Sequence, residues 1–210
     1  MKQSKQHPKY VWDLAVRLFH WSLVITFIIA YLTGDEESNL HIYTGYIILA
    51  LVSFRIIWGF IGTKHARFKD FIYGPSEILL HAKGLFLGKV KAYTGHNPLG
   101  GLMVMALLLT LILTIVSGLK VYGAEGHGPL AQINTSYFIS SANASSPDEY
   151  NEEHHEDNDA EEFWEETHEF FANLMLLLIA FHILGVIISS KVENENLVRA
   201  MLTGYKQNSD

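Results

Sequence analysis

Four histidines, His20, His41, His168 and His182, fall inside or at the ends of apolar stretches. An ionisable side chain is costly in such a place and is usually kept for function. His168 and His182 stand 14 residues apart. That is nearly four turns of helix, so both face one way, at depths about 21 Å apart at 1.5 Å per residue. The other two repeat these depths. His41 opens an apolar block at the level of His168, and His20 lies about 14 residues before the end of the preceding block, at the level of His182. The chain has 11 histidines and no cysteine. Disulfides, thiolate zinc sites, iron-sulfur clusters and covalently attached c-type haem are therefore excluded, and imidazole is the candidate metal ligand.

The elements that must position these residues are membrane spans. Of 210 residues, 49% are hydrophobic, and they gather in blocks at about 11–33, 41–61, 99–121 and 170–190, each near the 17 to 25 residues of a spanning helix. The first block is too long for a signal-peptide core, carries Asp13 and Arg17, and ends in "AYLTGDE" without a small-residue cleavage site, so it reads as retained. All of the 15 Lys and Arg except Lys120 fall before the first span's interior, between residues 55 and 91, or in the tail. The positive-inside rule then puts both termini in the cytoplasm, with an even number of spans. The expected fold is all-α, an integral membrane four-helix bundle forming one domain over 1–210, with both termini cytoplasmic.

Charge is segregated within the net −7. Asp35, Glu36 and Glu37 fall in the first outer loop, and most other acids lie between Glu125 and Glu169, in an outer loop expected over about 123–163. A basic inside and an acidic outside argue against nucleic-acid binding, where cations would share a soluble face. The first outer loop, about 34–40, is short enough to make spans one and two an antiparallel hairpin. The inner connection, about 62–98, interleaves apolar triplets with Lys and Gly in "ILLHAKGLFLGKVKAYTG" and reads as an interfacial segment. The acidic loop has no buried-core pattern over most of its length, and "PLAQINTSYFISS" is its one candidate for local structure.

Matched depths predict two stacked pairs, His41 with His168 near the outer face and His20 with His182 nearer the cytoplasm. Facing imidazoles in a bundle are how a b-type haem is held, one nitrogen on each side of the iron. Gly45, one turn after His41, and Gly185, three residues after His182, would let a flat macrocycle approach the backbone. A single histidine of this kind reads equally well as hydrogen-bonded inside the bundle; four at matched depths do not. His7, His65, His81, His96, His127, His154 and His155 read as solvated or interfacial.

The segments "VWDLAVRLFHW", "LHIYTGYIILALVSFRIIWGFIG" followed by "ARFKDF", "YTGHNPLGG" and "HEFFANLMLLLIAFHILGVIISSKVENENLVRAMLTGYK" resemble the prokaryotic cytochrome b561 family, which includes cytochrome b subunits of nickel-iron hydrogenases. The likeness spans nearly all the chain except residues 123–160. It implies a four-helix bundle with two haem b groups on His20, His41, His168 and His182, moving electrons between membrane quinone and a redox partner. Arg17 and Arg55 fit two roles, partners of haem propionates or ordinary positive-inside anchors. Superoxide oxidase belongs to the same broad group, but acidic outer loops would repel that anion. They would attract a cationic partner such as a periplasmic cytochrome c.

With both axial positions filled, one-electron relay is expected rather than bond-making at iron. A quinone pocket is expected near the inner haem, around Tyr93 to Gly101, with His96, Asn97 and Arg17 at hand. Two rivals remain. One is a haem-bearing membrane anchor for a hydrogenase-like enzyme. The other is a divalent-metal transporter in which "EEHHEDND" gathers zinc, although no span carries the mid-helix acid that such a route would use. Four spans wrap two macrocycles thinly, so a homodimer fits the sequence, though no residue pattern specifies one.

Overall fold

The computed structural model describes residues 8–34, 38–88, 91, 93–131 and 150–206, and not the side chains of residues 86 and 150–160. Its α-helices are α1 (Leu14–Leu32), α2 (Asn39–Ile61), α3 (Pro75–Phe86), α4 (Pro98–Ala124), α5 (Tyr150–Val192) and α6 (Leu197–Thr203). Four stretches, α1, α2, α4 and the Glu161–Val192 part of α5, are long and apolar enough to cross a membrane. The chain divides into two compact units, residues 1–108 with 177–210, and residues 109–176.

In the first unit, short polar side chains start the helices. Asp13 Oδ1 accepts the N–H of Val16 at 2.8 Å to cap α1, and the Ser38 side chain accepts from His41 N to cap α2. Asn97 Oδ1 takes the N–H of Gly100 at 2.7 Å, with Pro98 in the first turn of α4, where its missing amide proton costs nothing. Helices α1 and α2 pack on one another. The Asp13 carboxylate also ties them together at their other end, because Oδ2 accepts from Trp58 Nε1 at 3.2 Å and from Thr63 Oγ1.

A two-stranded antiparallel ribbon joins the segment before α1 to the segment after α6. Strand β1 (Lys9–Tyr10) pairs with β2 (Tyr205–Lys206) in the register Lys9 to Lys206 and Tyr10 to Tyr205. Both segments therefore lie on one side, as an even number of spans demands. Gly204 makes the junction possible: its φ is 88°, its carbonyl accepts from Val11 and Trp12 N–H at 2.8 and 3.2 Å, and a Cβ there would meet Trp12 O at 2.8 Å. Only glycine combines that backbone with that approach. Val11, Trp12 and Ala200 pack together beneath it with Met201. Lys206 is buried beside Glu195, at 2.8 Å, and donates to Tyr93 O at 2.9 Å.

Helix α3 occupies the connection expected to be interfacial. Leu79 and Leu80 on it are 58% and 73% exposed, whereas His81 is 4% exposed and sits edge-on to Tyr93. His81 therefore departs from the solvated reading, because a short amphipathic helix turned this residue, not its leucines, toward the protein.

The second unit holds the later part of α4 and α5 up to Leu176. Helix α5 is 43 residues long, about 65 Å, against about 30 Å of hydrocarbon core. The outer loop expected to continue to about 163 therefore gives way to helix at Tyr150. Glu is a good helix former, and adding turns to an existing helix is far easier than nucleating one. The outer-loop acids Asp35, Glu36 and Glu37, and Gln132 to Ser141 of the stretch expected to have local structure, lie outside the described residues.

Candidate functional site

His41 stands in the first turn of α2, and its Nδ1 lies 2.9 Å from the carbonyl oxygen of Ala30 on α1. A carbonyl only accepts, so Nδ1 carries the proton and Nε2 is the basic nitrogen. His168 repeats this arrangement in the second unit. Its Nδ1 donates to Thr114 O at 2.9 Å, with Ser117 Oγ at 3.2 Å. Ser117 is 1% exposed and is itself held by donation to Leu113 O and Thr114 O at 2.9 and 3.0 Å. Gly118 makes room for the ring, since a Cβ there would come within 2.9 Å of His168 Cε1. Donation from Nδ1 to a backbone carbonyl fixes tautomer and orientation and raises the basicity of the other nitrogen, the usual support of a metal-binding imidazole.

His20 and His182 belong to the first unit and lie within electrostatic reach of one another. The ring of His20 packs edge-on against Trp21 at 5.1 Å. Its buried Nδ1 has no hydrogen-bond partner among the described residues, a state that costs about 1–3 kcal/mol unless something else meets it. The structure thus brings His20 and His182 into one neighbourhood, with His41 in the same unit and His168 in the other. A Cβ on Gly45 or Gly185 would meet nothing within 4 Å, so space lies beside both helices. Oriented imidazoles, an unmatched buried ring nitrogen and open ground at two glycines fit a flat, iron-bearing group.

His96, read as solvated or interfacial, is half-buried and packed against the protein. It is enclosed between the rings of Trp12, at 4.5 Å, and Phe71, at 4.6 Å, and its carbonyl accepts from Tyr73 OH at 3.0 Å. Burial, then the positive charge of Arg55 and Lys206, pushes its pKa down to about 3. It is a neutral imidazole at any physiological pH. Beside it, Asn97 Nδ2 donates to Glu193 Oε1 at 2.8 Å. The sequence places His96 and Asn97 at the edge of an expected quinone pocket, but its spacing does not show the rings of Trp12 and Phe71 on either side of the imidazole. The side chains of "EEHHEDND" lie outside those described, and among the described residues no three His, Asp or Glu gather as a metal site.

Four helices of spanning length define an integral membrane protein of the all-α class. The sequence profile described as prokaryotic cytochrome b561 matches residues 11–204, and the chain belongs to that family. Relatives each named "Probable Ni/Fe-hydrogenase B-type cytochrome subunit" include one from Azotobacter chroococcum mcd 1, 29% identical over 161 residues. Those from Azotobacter vinelandii and Rhizobium leguminosarum bv. viciae are 28% and 26% identical. In all three the match covers 60% of this chain and 64% of the relative. No solved structure matches the chain.

Proposed function

We propose that the chain holds two haem b groups, one on His41 and His168 and one on His20 and His182, and passes electrons across the bacterial inner membrane with both termini in the cytoplasm. The observation that carries this reading is the shared Nδ1–H donation of His41 to Ala30 O and of His168 to Thr114 O, in a chain of the cytochrome b561 family. Bis-imidazole haem supplies a one-electron couple with no open position for oxygen or peroxide. The chain's own part is to hold each imidazole in one tautomer, to exclude water with apolar helices, and to offer a docking surface at each end.

At the inner end, His96, Asn97 and Arg17 frame the pocket for a membrane quinone or quinol. His96 is neutral there, so it serves as a hydrogen-bonding wall rather than a resting charge. At the outer end, the acids that lead into α5 attract a basic periplasmic cytochrome c or similar redox protein. Quinol added to proteoliposomes should reduce the haem and then external cytochrome c, faster at low ionic strength. His96→Ala and Asn97→Ala should slow the quinol step while dithionite still reduces the haem fully. Unchanged quinol kinetics in both variants would remove the pocket from this location.

A second reading draws support from the relatives, which are named as Ni/Fe-hydrogenase B-type cytochrome subunits. The chain would then anchor a hydrogenase-like enzyme and take its electrons, with the acidic helix facing that enzyme. Co-purification of a large metalloenzyme from native membranes selects this reading over the free-standing relay.

A further inference from the structure

Arg55 is a buried cation that the reading above leaves unused. It lies on α2, 14 residues beyond His41, and so on the same face at a depth about 21 Å away. It is only 4% exposed. Its guanidinium carbon stands over Phe68 at 5.0 Å and Phe71 at 5.9 Å, and its Nη1 meets no acceptor among the described residues. A guanidinium taken out of water without a partner is strongly disfavoured, so an anion belongs beside it.

The chain's nearest candidate is already occupied. Asp13 is within electrostatic reach of Arg55, but its oxygens accept from Val16 N–H, Trp58 Nε1 and Thr63 Oγ1. On the other side lies His96, which also feels Lys206, His65 and His182. Lys206 there is already matched by Glu195, and the histidine of the inner pair lies within the same electrostatic reach. Arg17, the other arginine of the inner end, also has a buried donor without an acceptor among the described residues, its Nε, but it is only half-buried, and its Nη2 already donates to Leu202 O, which ties α1 to α6.

We infer that Arg55, and not Arg17, is the carboxylate anchor of the inner site, where it takes a propionate of the haem held by His20 and His182. This rests on the functional reading above. Guanidinium binds carboxylate through paired, charge-assisted hydrogen bonds that a lysine ammonium cannot reproduce. The anion could reach the same cation from two sources, a haem propionate or a soluble anion.

The test uses the full chain in a His41→Ala background, so that one haem remains, loaded with haem b or with haem b dimethyl ester, which lacks free carboxylates. With haem b, Arg55→Gln should speed haem loss to apomyoglobin about tenfold or more, and Arg55→Lys should fall between it and Arg55. With the ester, all three should lose haem at one rate. Equal rates with haem b, or a difference that persists with the ester, would overturn the inference. So would stabilisation of the haem-free chain by phosphate or acetate that Arg55→Gln abolishes, because that result assigns the cation to a soluble anion. Arg55→Lys keeps the test decisive if Arg55→Gln fails to fold. If the unsubstituted chain takes up no haem at all, the functional reading itself fails, and pyridine haemochrome separates that case.

Discussion

At the scale of single residues, the account depends on how each imidazole is aimed. Gly118 is the tightest constraint, because its hydrogen faces His168 where a methyl group would stand 2.9 Å from Cε1 and 3.1 Å from Nδ1. Gly118→Ala must push the ring off Thr114 O, so it should lose the haem of that pair and leave the inner one. Haem b per chain by pyridine haemochrome checks this, and full occupancy would show that the ring can give way. His96 makes a prediction about pH. Its folded pKa of about 3 lies below the ordinary 6.5, so between those values the unfolded chain binds a proton that the folded chain refuses. Stability should therefore be unaffected above about pH 6.5 and fall as pH drops toward 3. Burial depresses His65 and His81 with the same sign. The melting temperature in detergent, followed from pH 7.5 to 4.5, should fall less steeply in His96→Gln, and an identical slope would contradict the assignment. These residues were legible in the sequence to different degrees. His20, His41, His168 and His182 announce themselves by charge in apolar blocks and by spacing. Gly118, Ser117 and Thr114 do not, since their importance lies in what another helix places against them.

At the scale of elements, Asp13 does more than cap α1. It starts α1 and fastens the far end of α2 through Trp58 and Thr63. Asp13→Ala removes a cap and strips two partners at once, so a loss of about 2 kcal/mol is expected, at the upper end of the range for a lost cap. Chemical denaturation in detergent measures it, and a loss within about 0.5 kcal/mol would mean that the contacts are replaced. The acidic lead into α5 gives the other prediction at this scale. Glu161, Glu162, Glu165 and Glu166 lie within this helix in the two turns before His168, on the side that the proposal makes the outer one. Replacing all four by Gln should slow transfer to a basic cytochrome c, with the gap closing as salt rises above about 0.1 M. A salt-independent effect would point away from electrostatic docking. The four apolar blocks could be read directly, because twenty apolar residues in a row have few other uses. The helix over 150–160 could not, since a run of acids without apolar periodicity looks the same whether it is loop or solvated helix. Helix α3 was half legible: its interfacial place followed from short apolar runs between lysines, but not the inward turn of His81.

At the scale of the whole molecule, pairing of β1 with β2 brings the chain's two described ends together, and the proposal puts them in the cytoplasm on the ground of the basic residues. Reporter fusions at residue 1 and residue 210 should both read as cytoplasmic, and one periplasmic end would break the even count of spans. Matching depths in the sequence was enough to propose two stacked sites, because a helix converts residue number into height. Candidate roles for Arg55 and His96 could be read from the sequence, but not their packing, because Phe68, Phe71, Trp12 and Asp13 reach them from distant parts of the chain. The central claim is that this chain is a bis-histidine cytochrome b with two haems. Pyridine haemochrome on the purified chain, expressed with haem supplied, tests it most directly: two haem b per chain are predicted, falling by one in His41→Ala or His168→Ala and by one in His20→Ala or His182→Ala. A colourless chain, or occupancy that none of the four substitutions lowers, would contradict it.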